Sequence, residues 1–169
     1  MRFLGLDPGL RITGWGVIEA QDNRLQHVAD GVVRSDERLS LAERLVQLHD
    51  GVRAIIAEFD PLEAAVEETF VNRNPASTLK LGQARGVVLL APALCGLPVA
   101  EYQPSVVKKA VVGTGAAAKE QVGMMIRMLL PGATLETPDA ADALAIAVCH
   151  AHNRAGSLAL ALARVRGRR

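Results

Sequence analysis

A long amphipathic segment between strand-like segments constrains the fold of this chain most strongly. Its apolar residues recur at steps of three and four, at Leu41, Leu45, Leu48, Val52, Ile55 and Phe59. This spacing predicts a helix with one buried face, and Ser40 and Asp60 are suitable start and stop residues. Residues 62–67 then predict a short buried strand. A strand, a long helix and another strand indicate a right-handed crossover to a parallel strand.

The rest of the chain continues the alternation of strand and helix signals. Residues 2–7, 13–20 and 24–35 predict three strands in an antiparallel meander. A fifth strand is predicted at 97–103, and further helices at 75–94, 104–112, 119–130 and 137–153. We therefore expect an α/β fold with a mixed five-stranded sheet and helices on both faces. The expected domain spans 1–153, and 154–169 is expected to be a basic, frayed C-terminal tail.

Composition restricts the class of protein less than the spacing of apolar residues does. The 169 residues suit one domain, and a net charge of +1 does not by itself indicate a nucleic-acid binder. Cys95 and Cys149 lack metal-site spacing and are expected to be buried free thiols. The N-terminus has no signal-peptide pattern, and the longest uncharged stretch, 86–100, is too short to span a bilayer. We expect a cytoplasmic protein.

Four acidic residues lie in positions that suit a metal site. Asp7 ends the first strand, Glu67 ends the strand after the crossover, and Asp139 and Asp142 lie three apart on one helix face. Carboxylates in core-like positions are costly to bury without a positive partner, and divalent cations are natural partners because Mg²⁺ prefers oxygen ligands. Two cations held by such a cluster can clamp an in-line phosphoryl displacement. Taken singly, Asp139 and Asp142 are better explained as capping acids and Asp7 as a turn residue, but these explanations do not account for Glu67 in an apolar strand.

Several motifs resemble those of the bacterial RuvC Holliday-junction resolvases, in the ribonuclease-H-like superfamily. They occur in the family's order and are LGLDPG at 4–9, TGWG at 13–16, VEETF at 66–70, LKLGQARG at 79–86, VVGTG at 111–115 and DAADALA at 139–145. The resemblance implies a ribonuclease-H-like fold over most of the chain. It also implies that Asp7, Glu67, Asp139 and Asp142 bind Mg²⁺ or Mn²⁺, two ions per subunit during catalysis.

By the same resemblance, the protein is a homodimeric endonuclease of DNA recombination and repair. It would nick four-way junctions symmetrically on two strands and would work with a branch-migration motor of the RuvA and RuvB type. A two-fold dimer presents two identical sites, which suits paired nicks. Gly82 and Gly86, four apart on one helix, match the family's dimer interface, although packing inside the domain explains them as simply.

Six further residues are candidate DNA contacts. Phe70 matches an aromatic residue that stacks on bases near the crossover, whereas an ordinary Phe would pack under the next helix. Lys108 and Lys119 match basic residues near the scissile phosphate, whereas most lysines are simply solvated. The remaining candidates for the same face are Arg73, Lys80 and Arg85.

Two other classes of function stay open on sequence grounds. The segment from Leu6 to Gly9, with Thr13 and Gly14, resembles the phosphate loop of the actin and sugar-kinase superfamily, which would make the chain a phosphotransferase. That superfamily normally duplicates its fold, and this chain has room for one copy. A junction-binding module without catalysis, or a relative that acts on RNA, is the third possibility.

Overall fold

The structure is a computed structural model that describes residues 1–21, 24–68 and 74–166, with the backbone alone for residues 156–166. The elements in chain order are β1 (Arg2–Asp7), β2 (Ile12–Gln21), β3 (Arg24–Arg34), α1 (Leu41–Phe59), β4 (Glu63–Glu67), α2 (Pro75–Leu94), β5 (Val99–Tyr102), α3 (Pro104–Val112), α4 (Lys119–Leu129) and α5 (Pro138–Arg166). No helix in these described ranges is long and apolar enough to cross a membrane.

The five strands form one mixed sheet in the order β3-β2-β1-β4-β5. The first three strands are an antiparallel meander, and β4 and β5 run parallel to β1. Helix α1 makes the crossover from β3 to β4, so the parallel pairing predicted from the strand–helix–strand pattern is confirmed. The fifth strand is shorter than the seven residues predicted, because only Val99–Tyr102 pairs with β4.

Helices cover both faces of the sheet, as predicted. Helices α3, α4 and α5 close one core around Phe3, Ile18 and Ala65. Helices α1 and α2 close the other core around Leu4, Val17 and Val66, and they contribute Val52 and Val88 to it. The strand residues of the two cores are neighbours in sequence, such as Phe3 and Leu4 on β1. Alternation along each strand therefore assigns odd positions of β1 and β4 to the α5 face.

Local signals set most helix ends. Ser40 accepts a hydrogen bond from the backbone N–H of Glu43, and the Glu43 carboxylate accepts one from the backbone N–H of Ser40, which makes a capping box at the start of α1. Asn74 caps α2 through the backbone N–H groups of Ala76 and Ser77. The Ser40 cap lies where the sequence predicts it.

Two predictions are wrong. Helix α5 continues to Arg166 instead of ending at Asn153, because residues 154–166 are rich in the helix formers Ala, Leu and Arg and contain no Pro. Cys95 is exposed rather than buried, since it is the C-cap of α2 at the surface; Cys149 is buried as expected.

Candidate metal centre

Asp7 and Glu67 lie side by side at one edge of the sheet. The parallel register pairs Leu6 with Val66, so the next residues on β1 and β4 are the two acids. Both occupy odd positions and project from the face that α5 covers. Because neighbouring strands are about 4.8 Å apart, the two strand ends deliver both carboxylates to the same space.

Glycines on β1 and β2 allow α5 to lie directly on this face. A Cβ atom added to Gly14 would be 2.1 Å from the carbonyl oxygen of Asp139, and one added to Gly5 would be 2.0 Å from that of Ala143. Any larger residue at these positions would force the helix away from the sheet. Because Gly14 pairs with Asp7 across the two strands, this contact also brings Asp139 towards Asp7.

The four acids interact electrostatically. Burial raises the pKa of Asp7 from 3.8 to about 7, and the charges of Glu67, Asp142 and Asp139 add to the increase. Burial, followed by the charge of Asp142, also raises the pKa of Glu67. All four side chains are half-buried. Like charges in a partly dry site require a positive partner.

Lys119 supplies part of that positive charge. Its Nζ lies 2.6 Å from Oδ2 of Asp142, and its charge acts to lower the pKa of both Asp7 and Glu67. The hydrogen bond with Asp142 is the main cause of a raised pKa for Lys119 itself. The lysine side chain is 65% exposed, so its ammonium group can leave the carboxylate at little cost.

The donor set fits a hard divalent cation, but the side chains are not arranged as finished ligands. Among the described residues, no three His, Cys, Asp or Glu side chains are grouped closely enough to hold a metal ion. The pairing of Asp142 with Lys119 is one physical reason, and mutual repulsion of the carboxylates is another. Four carboxylates offer only oxygen donors, the type that Mg²⁺ and Mn²⁺ prefer.

A groove of about 520 Å³ opens beside this cluster, between α4 and α5. Asp142 and Lys119 line it together with Met124, Arg127 and Leu135. Asp142 is therefore accessible from the surface on the α4 side.

The other predicted site residues are distributed over both faces of the sheet. Lys108 is half-buried, and its charge lowers the pKa of Glu67, so it lies near the acids. Lys80 is exposed on α2. Arg85, also on α2, donates from Nε to the backbone oxygen of Glu67 at 3.1 Å. Phe70 and Arg73 lie outside the described residues.

A buried polar network between α5 and the sheet was not predicted. His150 is only 5% exposed. Its Nδ1 is 2.9 Å from the Tyr102 hydroxyl, and its Nε2 is 3.0 Å from the Glu63 carboxylate, which also accepts from Arg154. A neutral ring that donates from Nε2 and accepts at Nδ1 satisfies both contacts. The network holds α5 against β4 and β5, and it reaches from Glu63 at the start of β4 to Tyr102, which pairs with Glu67.

Comparison with known proteins identifies the family. The family model of the crossover junction endodeoxyribonuclease RuvC matches residues 3–150. A RuvC from Rhodospirillum rubrum is 80% identical over 169 residues and covers all of both chains. Another, from Paramagnetospirillum magneticum, is 71% identical over 96% of this chain and 98% of its own.

Solved structures agree with the sequence relatives. T. thermophilus RuvC in complex with a Holliday-junction substrate has a TM-score of 0.85 and 37% identity, over 92% of this chain and 96% of that chain. The yeast mitochondrial Holliday-junction resolvase Ydc2, at 13% identity and a TM-score of 0.64 over 88% of this chain and 78% of its own, shares the fold. This chain belongs to the RuvC family of crossover junction endodeoxyribonucleases, which are metal-dependent nucleases.

Proposed function

We propose that this chain resolves four-way DNA junctions by metal-dependent hydrolysis of phosphodiester bonds at Asp7, Glu67, Asp139 and Asp142. The observation that most supports this is the convergence of four half-buried carboxylates from three distant segments, where burial and then the charges of the other three acids raise the pKa of Asp7. The junction complex of the T. thermophilus relative supports the substrate class. The same relationship supports a role in DNA recombination and repair.

The four carboxylates are the proposed ligands of two Mg²⁺ ions per subunit, and Mn²⁺ can replace Mg²⁺. When bound, two such ions activate a water molecule and stabilise the leaving oxygen of an in-line displacement. Burial and then the charges of the other three acids raise the pKa of Asp7, so Asp7 lies close to all of them. We expect its loss to weaken the binding of both ions.

Basic residues beside the acids are suited to hold the DNA backbone. The charges of Lys108 and Lys119 oppose the rise in the pKa of Glu67 that burial causes, so both lysines lie near this acid. A scissile phosphate that reaches the acids would therefore also meet these two ammonium groups. Lys80 and Arg73 are further proposed contacts to the DNA backbone. Stacking of Phe70 on an unpaired base would contribute about 1–3 kcal/mol.

We propose a homodimer formed through α2. Gly82 and Gly86 have nothing within 4 Å of an added Cβ, and Leu79 and Leu90 on the same helix face are 67% and 51% exposed. An apolar stripe centred on two glycines suits close approach by a second copy of the same helix. Two copies related by a two-fold axis would present two identical cleavage sites, as paired symmetric nicks require.

A branch-migration motor of the RuvA and RuvB type is the further partner that family membership supports. A cytoplasmic location is proposed on the same basis.

The central experiment maps nicks on a synthetic mobile four-way junction and on a linear duplex of the same sequence. Symmetric nicks on two strands of the junction, with Mg²⁺ or Mn²⁺ but not with EDTA, are expected. Equal cutting of the duplex would contradict junction selectivity. ATP hydrolysis without nicking would favour the phosphotransferase alternative, and cleavage confined to RNA would favour the ribonuclease alternative.

Asp7→Asn tests the metal ligand directly. The variant should lose nicking and retain junction binding, because it removes a metal ligand and no phosphate contact. Asp50→Asn, at a side chain that is 65% exposed, is the matched control and should cut normally. Cutting by the Asp7 variant at saturating Mg²⁺ would overturn the ligand assignment.

Leu90→Glu tests the dimer surface. A charge inside the stripe should shift the protein from dimer towards monomer in analytical ultracentrifugation and should uncouple the paired nicks. Leu62→Glu, at a residue that is 56% exposed outside α2, should leave the mass unchanged. A dimer that tolerates Leu90→Glu would place the interface elsewhere.

A further inference from the structure

Arg85 connects the last residue of β4 to both neighbouring layers of the fold. It lies near the middle of α2, on the sheet face opposite α5. Its Nε donates to the backbone oxygen of Glu67 at 3.1 Å, and its Nη2 forms an ion pair with the Glu101 carboxylate on β5. One guanidinium therefore joins α2, the end of β4 and β5.

The end of β4 is where the backbone leaves the sheet. Pairing with β1 extends only as far as Val66, and pairing with β5 extends as far as Glu67. The backbone N–H of Glu68 donates to the oxygen of Tyr102 at 2.8 Å, which fixes the β5 side. Arg85 adds a second attachment at the carbonyl of Glu67, from the helix layer.

Glu67 needs this attachment because its neighbours repel it. The carboxylate is half-buried and faces the negative charge of Asp142. A ligand held only by its own side-chain torsions would turn towards water. Since Arg85 is already paired with Glu101, its charge does little to neutralise the acid cluster, and its effect on Glu67 is one of position.

We propose that Arg85 is a positioning residue that sets metal affinity by fixing the backbone of Glu67, rather than a contact to DNA. This inference rests on the proposed role of Glu67 as a metal ligand. A planar guanidinium can satisfy a carbonyl and a carboxylate at once, which a lysine ammonium on its single stem does less well. The side chain is only 20% exposed, which also leaves little surface for a phosphate.

The geometry also connects the metal site to the proposed dimer surface. Arg85 lies between Gly82 and Gly86 in sequence, so a partner packed on that stripe would restrain the helix that carries the guanidinium. Pairing of two subunits would then steady Glu67 in each of them.

The test compares Arg85→Gln, Arg85→Lys and Glu101→Gln with wild type, using Arg53→Gln on α1 as a control that removes the same charge from an exposed position. Two readouts are needed: Mn²⁺ binding to the DNA-free protein by electron paramagnetic resonance, and junction affinity in Ca²⁺ as a function of salt. Thermal unfolding confirms that each variant is folded.

Arg85→Gln should weaken Mn²⁺ binding and raise the Mg²⁺ needed for half-maximal nicking by about 10-fold, the usual effect of losing a residue that orients a metal ligand. Excess Mg²⁺ should restore nicking, and junction affinity should change less than twofold. Glu101→Gln should shift the Mg²⁺ requirement in the same direction but less, and Arg85→Lys should not rescue. The Arg53 control should match wild type throughout.

Two results would overturn the proposal. In the first, a folded Arg85→Gln variant binds Mn²⁺ normally, but the salt dependence of its junction binding is shallower by about one unit of slope. Arg85 would then be a phosphate contact. Normal behaviour in both readouts would leave it no role at the site. A wild-type protein that binds no Mn²⁺ and cuts no junction would instead refute the proposed function.

Discussion

Replacing Asp7 by Asn should stabilise the metal-free protein, although it should abolish cleavage. The native pKa of Asp7 is raised from 3.8 to about 7, mainly by burial. A raised native pKa means that the folded state binds a proton that the unfolded state has lost. The associated stability is complete below pH 3.8, declines as the pH rises and is fully lost above about pH 7. Asparagine keeps the shape of the neutral acid and does not ionise.

The structure sets the size of the effect. A pKa difference of about three pH units corresponds to about 4 kcal/mol. Asp7 is only half-buried, and Lys119 offsets part of the repulsion, so solvent screening reduces the expected gain to about 2 kcal/mol at pH 8. For a chain of this length, that gain corresponds to about 6 °C in Tm.

The assay is thermal unfolding of wild type and Asp7→Asn at pH 5 and pH 8, in EDTA and in Mg²⁺. The variant should be the more stable protein in EDTA, by more at pH 8 than at pH 5. Mg²⁺ should stabilise the wild type and have less effect on the variant, since ligand binding to the folded state raises Tm. A variant that is no more stable than wild type at pH 8 in EDTA, or a difference that does not grow with pH, would refute the reasoning.

The remaining predictions concern the packing of α5 and the polar network around His150. Gly14→Ala should lower the free energy of unfolding in urea by more than 2 kcal/mol and abolish nicking, because the added methyl would meet the Asp139 carbonyl. The control Gly123→Ala, at a residue with open space around it, should be neutral or slightly stabilising. Equal effects of the two substitutions on stability would exclude the steric argument. Burial lowers the pKa of His150 despite its bond to Glu63, so its contribution to stability should be present above about pH 6.5 and fall as the pH drops through the native pKa. His150→Gln should flatten that part of the urea stability profile between pH 7 and 5, and an unchanged profile would assign the loss to other groups.

Local interactions were predictable from the sequence, and most tertiary ones were not. The Ser40 capping box and the bounds of α3, Pro104–Val112, follow from residues close in the chain. The meeting of Asp7 with Glu67 follows from a crossover that the alternation of strand and helix already indicates. These features depend on short-range order or on handedness, which sequence patterns encode.

The residues that escaped prediction act across long sequence separations. Arg85 reads as a surface arginine, since nothing near it in sequence indicates the Glu67 carbonyl 18 residues away. His150 joins Glu63 across 87 residues. Gly5 and Gly14 belong to two of the sequence motifs, but their role depends on how closely α5 approaches the sheet, which only the packed structure specifies.

The placement of α5 has a consequence for biosynthesis. A nascent chain that has emerged only as far as β5 already holds Asp7 and Glu67, yet Asp139 and Asp142 are still unmade. Helix α5, which packs on Gly5 and Gly14, is then absent, and half of the acidic cluster is missing with it. Folding proceeds from the N-terminus during synthesis, so a partly translated chain would be inert towards chromosomal DNA. Nuclease competence would arise only when the last helix settles onto the first strand.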